Sequence, residues 1–256
     1  DRRLSITEQI TEGKAQSAGK YSGAAYIAYF QAYTNTYAPL PRLREVFFEA
    51  IRHPDIRILD IATRPDCLPE TVLGLLTDLR QTFPDKFIWL ELGLQTIHSQ
   101  TADYIRRGYP LSCFTDAVHR LRLCRLPVIV HIILGLPGES RQQVYETVCF
   151  LNTLPVFGVK LQLLHVLEGT DLAADYRAGM FQLPDQEQYT DLVIGALERL
   201  SPEIVVHRIT GDGPKNLLIA PRWSLHKRAV LNRIHQEMRR RDTWQGKYAP
   251  PGHFSV

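Results

Sequence analysis

Apolar positions along the chain form short runs that alternate with segments of helical periodicity. Six apolar runs predict β-strands, which begin near Ala25, Ile56, Phe87, Val128, Val159 and Ile204. Their starts lie 31 to 45 residues apart, which accommodates a strand and a crossover helix. Between them, apolar spacings of three and four predict helices over 43–52, 69–81, 99–106, 112–123, 141–154 and 186–200. This alternation favours a parallel sheet, either a closed barrel or an open doubly wound sheet.

The first predicted helix has a clear N-terminal capping signal. Ser5 and Glu8 form a capping-box pattern, which predicts a helix that runs to about Ala18. In an alternation of strands and helices this helix should follow a strand of its own, and none precedes it. Because the sequence also begins at Asp1 rather than at a methionine, we expect a strand–helix unit to lie before it.

Polar residues interrupt the strands on one face. In "WLELGLQ", Trp89, Glu91, Gly93 and Gln95 share a face by the period of two. A buried acid is costly without partners, so this face is expected to line a polar, functional lumen. Three histidines fall near strand ends in the same way: His131, His165 and His207. Polar groups at the carboxyl ends of strands favour the barrel.

Composition is that of a globular protein of one large or two small domains, with 256 residues, of which 45% are hydrophobic. No apolar run approaches the roughly 18 residues that span a bilayer, and no secretory pattern opens the chain, which predicts a cytoplasmic protein without a membrane partner. Cys113, Cys124 and Cys149 fall in helical patterns and are predicted to be core residues. Cys67 follows the second strand and is either a reactive thiol or a small apolar residue beneath Leu68.

Charge is uneven although the net charge is only +3. The segment 222–241, "RWSLHKRAVLNRIHQEMRRR", concentrates basic residues on a predicted helix. It is either a solvated helix face or a surface that touches RNA. No GxGxxG or GxxxxGK[ST] motif is present, so a Rossmann or phosphate-loop site has no support.

Six segments together resemble the radical S-adenosylmethionine superfamily, and within it the YhcC-like group related to Elp3. They are "YFQAYTNTYAP", "ATRPDCLP", "ELGLQTIHSQTADYIRRGY", "HIILGLPGES", "LLHVLEGTDLA" and "HRITGDGPKNLLIAPRWSLHK", and they cover nearly the whole chain in order. The resemblance implies an α/β fold, a partial (β/α)6 TIM-like barrel whose first βα unit is incomplete here. Residues 1–200 would form the barrel core, and residues 201–256 a C-terminal strand, basic helix and tail packed on it.

The resemblance also implies cofactors and a reaction. Three cysteines on the loop after the first strand would hold a [4Fe–4S] cluster. S-adenosyl-L-methionine would be cleaved reductively to a 5′-deoxyadenosyl radical, with electrons from a partner such as flavodoxin or ferredoxin. No three-cysteine loop occurs in this sequence, so the cluster cysteines are expected before Asp1, and this chain alone is expected to be inactive. The substrate is left open.

Nine residues are implied to bind the cofactor: Gln31, Thr34, Glu91, Gln95, Arg107, His131, Gly135, Val166 and Leu167. The segment 31–34 takes the place of a glycine-rich turn but contains no glycine. Arg107 matches an arginine that pairs with the methionyl carboxylate, since a guanidinium binds a carboxylate bidentately. His131 would lie near the ribose, the Gly135 turn against the nucleoside, and Val166 and Leu167 by the adenine.

Other interpretations compete with these assignments. Arg107 also fits a surface arginine at a helix end, and Glu91 a structural ion pair with Arg64. His207 and Asp212 are candidates for substrate binding. A metal-dependent hydrolase would use four strand-end ligands, His131, His165, His207 and Asp212. A non-catalytic scaffold would bind RNA or a protein through the basic helix.

Overall fold

A computed structural model describes residues 4–19, 25–211 and 213–250. The helices are α1 (Ile6–Ser17), α2 (Leu40–Arg52), α3 (Glu70–Thr82), α4 (Ser99–Tyr104), α5 (Leu111–Leu123), α6 (Arg141–Leu151), α7 (Asp171–Arg177), α8 (Gln186–Arg199) and α9 (Lys227–Arg240). The strands are β1 (Tyr26–Phe30), β2 (Ile56–Thr63), β3 (Phe87–Gln95), β4 (Val128–Leu134), β5 (Gly158–Leu163), β6 (Val166–Leu167), β7 (Val205–Arg208) and β8 (Leu218–Ala220). Short 3₁₀ turns occupy Pro65–Cys67 and Arg222–Leu225.

One sheet contains the six predicted strands in the order β1-β2-β3-β4-β5-β7. The pairs β1–β2, β2–β3 and β5–β7 are parallel. Within this sheet the strands follow one another in chain order, with helices as crossovers between them, and β6 and β8 lie outside it. The predicted alternation of strands and helices is confirmed. Over the described ranges, no helix is both long and apolar enough to cross a membrane.

The chain divides into two compact units. The first unit is Asp1–Gly93 with Cys113–Ile129, and the second is Leu94–Ser112 with Val130–Val256. Fully buried side chains in the first unit include Phe47, Leu76 and Phe114, from the helices, and those in the second include Val148 and Val193. Each such burial stabilises its unit by about 1.5–3 kcal/mol. The predicted division into 1–200 and 201–256 stays a prediction.

Helix capping follows the sequence closely. Ser5 accepts from the Glu8 N–H, and the Glu8 carboxylate accepts from the Ser5 N–H, which confirms the predicted capping box. Ser140 and Gln143 form the same reciprocal pair at the start of α6. These pairs satisfy N–H groups that have no acceptor within the helix.

Strand β3 shows the predicted period of two in its burial. The side chains at 88, 90, 92 and 94 are at most 2% exposed. On the other face Trp89, Gly93 and Gln95 are half-buried, and Glu91 is buried. The apolar face is thus covered completely, and the polar face carries the residues with chemistry.

The apolar run that follows Val159, where a strand is predicted to begin, does not continue as one strand through Leu167. Strand β5 ends at Leu163, and Val166–Leu167 form β6, which pairs antiparallel with β8 in a separate two-stranded sheet. The break falls at His165, whose Nε2 lies 3.1 Å from the Ser224 hydroxyl. A contact between residues so distant in sequence leaves no trace in local periodicity.

Candidate functional site

The turn after β1 contains two of the implied cofactor residues, Gln31, which is exposed, and Thr34, which is half-buried. The Asn35 amide ties this turn to β2 by donating to the Ala62 carbonyl at 2.8 Å. Tyr33 has a φ of 65°, in the left-handed region that glycine favours. The turn therefore adopts, at Tyr33, a conformation that glycine favours, although segment 31–34 contains no glycine.

Glu91 lies on the polar face of β3 and is 1% exposed. Its carboxylate accepts a 2.7 Å hydrogen bond from the Tyr29 hydroxyl of β1. Because a buried carboxylate without donors is costly, this hydroxyl is one of the groups that stabilise Glu91. Arg64, the predicted alternative partner, forms a two-pronged contact with Asp66, at 2.9 and 2.7 Å.

Cys67 follows Asp66 in the 3₁₀ turn after β2. Burial, together with the nearby Asp66 charge, raises the pKa of the Cys67 thiol. A raised pKa leaves less thiolate, the reactive form, and this favours the small apolar residue over the reactive thiol.

The prediction that the other cysteines are core residues is wrong: Cys149 is exposed, and Cys113 and Cys124 are half-buried. On α6 the inward positions belong to Val148 and Leu151 instead.

Gln95 ends β3 in the second unit and combines two unusual properties. Its φ is 64°, which is strained for a residue with a side chain. Its Oε1 atom is buried and has no hydrogen-bond partner among the residues that the structure describes. A buried acceptor without a donor costs about 1–3 kcal/mol. Such a cost together with backbone strain is typical of a functional site.

Arg107 holds the turn that carries Gln95. Arg107 is buried, with 8% of the residue exposed. Its Nη1 donates to the Leu94 carbonyl at 3.1 Å and to the Thr96 carbonyl at 2.6 Å, and its Nε donates to the Tyr109 carbonyl at 3.1 Å. Arg107 is therefore not the surface arginine of the competing interpretation. Its pairing with a methionyl carboxylate stays a prediction.

The turn after β4 is fixed by Glu139. The Thr96 hydroxyl donates to the Glu139 carboxylate, so this turn is joined to the residue after Gln95. Burial raises the pKa of Glu139. Gly135, in the same turn, has a φ of 83°, and a Cβ there would lie 3.1 Å from the Pro184 ring. The Pro184 ring therefore leaves little room for a side chain at Gly135.

His131, on β4, is half-buried. The Gln162 amide nitrogen lies 2.8 Å from His131 Nδ1. Because an amide N–H only donates, Nδ1 accepts and the ring proton resides on Nε2. Val166 is fully buried and Leu167 half-buried in β6. The cofactor roles implied for these three residues stay predictions.

The ligands of the alternative metal site are held by other contacts. His165 faces Ser224, and the His207 ring packs edge-on against Phe157 at 5.8 Å between centroids. Asp212 lies outside the described residues. Among the residues described, no three His, Cys, Asp or Glu side chains come together as a metal site. The geometry therefore does not favour the hydrolase.

Acidic side chains pair with the arginines at the C-terminal end of the basic helix α9. The Glu237 side chain is buried, and its carboxylate contacts Arg240 at 2.8 Å, Arg241 at 3.3 Å and Arg233 at 3.4 Å. Arg241 also pairs with Asp191 of α8. Much of the positive charge that the sequence concentrates here is thus neutralised within the fold.

Sequence comparison matches two family models. A model described as "Radical SAM superfamily" matches residues 5–151, and a "Radical_SAM C-terminal domain" matches residues 156–240.

Two bacterial proteins are similar over most of the chain. The Bacillus subtilis protein YtqA, described as uncharacterized, is 42% identical over 243 residues, which is 95% of this chain and 74% of YtqA. The Escherichia coli protein YhcC is 36% identical over 220 residues, which is 86% of this chain and 69% of YhcC.

Among solved structures, archaeal Elp3 from Methanocaldococcus infernus superposes with a TM-score of 0.75. The sequences are 16% identical, and the match covers 92% of this chain. The chain spans 58% of that Elp3 chain. This likeness concerns the fold, and it confirms the predicted α/β class of the partial radical SAM barrel.

Proposed function

This chain belongs to the radical SAM superfamily, in the YhcC-like and Elp3-like part that its sequence predicted, and from this premise we propose that it is the core of a radical S-adenosylmethionine enzyme. The observation that carries the proposal for this chain is Gln95. It pairs a strained backbone with a buried acceptor, and it lies on a turn that Arg107 locks in place.

The residues of the second unit fit S-adenosylmethionine as a ligand. The Gln95 Oε1 lone pairs suit an ammonium or hydroxyl donor, and both groups occur in that molecule. His131, with its proton on Nε2, suits an acceptor such as a ribose oxygen. Arg107 acts as a positioning residue, because it fixes the carbonyls on either side of Gln95. When bound, S-adenosylmethionine would supply a 5′-deoxyadenosyl group as the hydrogen-abstracting radical.

The protein's contribution is orientation. A turn that is already strained and hydrogen-bonded does not have to be ordered when the ligand binds, so less binding free energy is lost. Gln31, Thr34 and Glu91, which the resemblance also assigns to the cofactor, lie in the first unit, and their roles remain part of the proposal.

The iron–sulfur cluster does not fit the cysteines described. Cys67, Cys113, Cys124 and Cys149 form no group of three suited to a metal. A [4Fe–4S] cluster is general to the family, so we propose that its ligands come from sequence outside these 256 residues. No step of the reaction is assigned to any of the four cysteines.

The experiment uses the full-length protein, reconstituted anaerobically with iron and sulfide. We expect the absorbance of a [4Fe–4S] cluster and release of 5′-deoxyadenosine from S-adenosylmethionine on reduction with dithionite. Replacement of Gln95 by Ala should weaken S-adenosylmethionine binding in equilibrium dialysis and should slow that release. Arg125→Ala, at an exposed position that also has a positive φ of 55°, is the matched control and should change neither.

Two results would contradict the proposal. One is a reconstituted protein that forms no cluster or releases no 5′-deoxyadenosine. The other is a stoichiometric zinc ion in the protein as purified, which would instead support the hydrolase.

An RNA partner through α9, and a flavodoxin or ferredoxin as electron donor, also remain proposals. The acids around Glu237 weaken the case for the C-terminal arginines, since a neutralised guanidinium has less to offer a phosphate. Salt-dependent tRNA binding that is lost when Arg239 and Arg240 are both changed to Gln would support the RNA partner. Reduction of the cluster by flavodoxin would support the electron donor.

A further inference from the structure

A cleft of about 690 Å³ opens in the second unit beside the two-stranded sheet β6–β8 and the first turn of α9. Its wall includes His165, Gly213, Lys215, Ser224, Lys227 and Arg228. None of these residues is among those that the resemblance assigns to the cofactor. The volume is that of a small-molecule site, for which roughly 300–1,000 Å³ is usual.

Among the described residues that line the cleft, every charged side chain is positive. Three cations line it, Lys215, Lys227 and Arg228, and its lining contains no acid among the residues that the structure describes. Lys215 and Arg228 are exposed, and in the described part of the chain neither forms an ion pair. At the other end of α9, Glu237 and Asp191 neutralise arginines. The excess of positive charge is therefore confined to the end of the helix at the cleft.

Two of these cations lie in the first turn of a helix, where acidic side chains are usually favoured. Lys227 and Arg228 are the first two residues of α9, and the first turn contains no acid. His226, the N-cap residue, makes no side-chain capping bond. Positive side chains at a helix N-terminus are unfavourable, because the macrodipole and the unpaired N–H groups there favour an anion. An anionic ligand would compensate the helix N-terminus together with the exposed Lys215 and Arg228.

Two glycines of the cleft lining lie close to the His165 ring. A Cβ at Gly211 would lie 2.5 Å from the His165 ring, and one at Gly213 would lie 2.7 Å from its Nδ1. Both positions therefore require glycine for the backbone to approach His165. The Ser224 hydroxyl donates to the Pro221 carbonyl at 2.8 Å, so its oxygen accepts from His165 Nε2. Ser224 thus orients the imidazole through Nε2, and the backbone at Gly211 and Gly213 leaves no room for a side chain beside the ring.

We propose that this cleft binds the phosphate group of a nucleotide-sized ligand, which would be the substrate or a part of it. Lys215 and Arg228 would contact the phosphate oxygens, since lysine and arginine are the usual phosphate-binding side chains. The proposal goes beyond the radical chemistry, and it needs neither the cluster nor S-adenosylmethionine to be correct.

The test measures binding by isothermal titration calorimetry, on the full-length protein, with AMP and with adenosine as the probe that lacks the phosphate. We expect AMP to bind and adenosine to bind at least about tenfold more weakly, which corresponds to one charge-assisted contact. Arg228→Gln and Lys215→Gln should each weaken AMP binding by about tenfold. Both side chains are exposed, so both variants should fold.

Arg239→Gln is the matched control. It removes the same charge from an exposed position of the same helix but at the far end from the cleft. AMP affinity should be unchanged in this variant. Equal loss in Arg239→Gln and Arg228→Gln would mean a general charge effect and would overturn the proposal, as would equal affinity for AMP and adenosine.

A third arm identifies the source of the phosphate. If unfractionated tRNA displaces AMP, and Arg228→Gln weakens both, then the phosphate belongs to RNA. If tRNA does not displace AMP, the ligand is a free nucleotide or a similar phosphomonoester. If no probe, AMP and tRNA included, depends on Lys215 or Arg228, the cleft is not a phosphate site.

Discussion

The Nη1 atom of Arg107 donates to the Thr96 carbonyl at 2.6 Å and so closes the turn in which Gln95 holds its positive φ. The arginine lies eleven residues beyond the carbonyl that it binds. Its removal takes this donor from the carbonyl of the fully buried Thr96, while the Leu94 carbonyl keeps the Thr96 N–H at 2.8 Å. Arg107→Ala should therefore lower the free energy of unfolding by about 1–3 kcal/mol. Urea denaturation measures this difference.

The neighbouring Arg106 is the control for that substitution. It forms an ion pair with Asp171 in which both side chains are at least 75% exposed. Arg106→Ala should cost no more than about 0.5 kcal/mol, as is usual for exposed pairs. Equal losses in the two variants would mean that Arg107 does not hold the turn.

At Gln95 we expect stability and binding to change in opposite directions. Gln95→Gly relieves the strain of a φ of 64° and removes a buried acceptor, so it should raise the free energy of unfolding by about 1 kcal/mol. The same change should weaken S-adenosylmethionine binding by the full-length reconstituted protein. Arg125→Gly relieves similar strain at an exposed residue and should raise stability with no change in binding. A Gln95→Gly variant that binds normally would remove Gln95 from the site.

The Tyr29 hydroxyl should be a measurable part of the stability of the first unit. Tyr29→Phe removes the 2.7 Å hydrogen bond to the buried Glu91 and should cost about 2 kcal/mol, the usual range for a bond to a charged group. Tyr26→Phe, on the same strand, keeps the ring over which the Lys14 ammonium lies at 5.5 Å and should cost less than about 0.5 kcal/mol. Thermal unfolding of both variants gives the comparison, and a Tyr29→Phe protein as stable as Tyr26→Phe would contradict the prediction.

The contribution of Glu237 should depend on pH. The Arg240 hydrogen bond is the largest cause that lowers the pKa of Glu237 below its ordinary value of 4.5. Because the folded pKa is the lower one, the stabilisation is fully present above pH 4.5 and is lost as the pH falls through the folded pKa. Glu237→Gln should therefore melt several degrees below the unchanged protein at pH 7, and this gap should narrow below pH 4.5. A difference in melting temperature that is constant with pH would show that the charge of the Glu237 carboxylate does not contribute to stability.

Much of the main sheet could be predicted because its signals are local. The period of two in β3 and the caps at Ser5 and Ser140 depend on residues within four positions of one another. The β6–β8 pair could not be predicted, since it joins Val166 to Ala220 across more than fifty residues and each strand is at most three residues long. Short strands have too few positions to show a period.

The sequence named candidate residues for the site, whose cofactor roles stay predictions, but it could not predict the contacts that those residues make. Family spacing pointed to Arg107, yet its acceptors are backbone carbonyls, which no side-chain pattern reveals. Tyr33 was missed because a left-handed backbone is expected of glycine rather than tyrosine. The basic run that ends in Arg239, Arg240 and Arg241 looked uniform in sequence, and only the fold separates paired cations from those in the cleft.

The concentration of three guanidinium groups on the Glu237 carboxylate has an evolutionary consequence. One nucleotide change converts a glutamate codon into a lysine codon, and here it would alter the local charge by two units. Arg240 would then lose the carboxylate that it contacts at 2.8 Å, while Arg241 would keep its pair with Asp191. The C-terminal half of α9 is thus one substitution away from a polycationic surface, and descendants of this chain could gain affinity for polyanions without any change in their sheet.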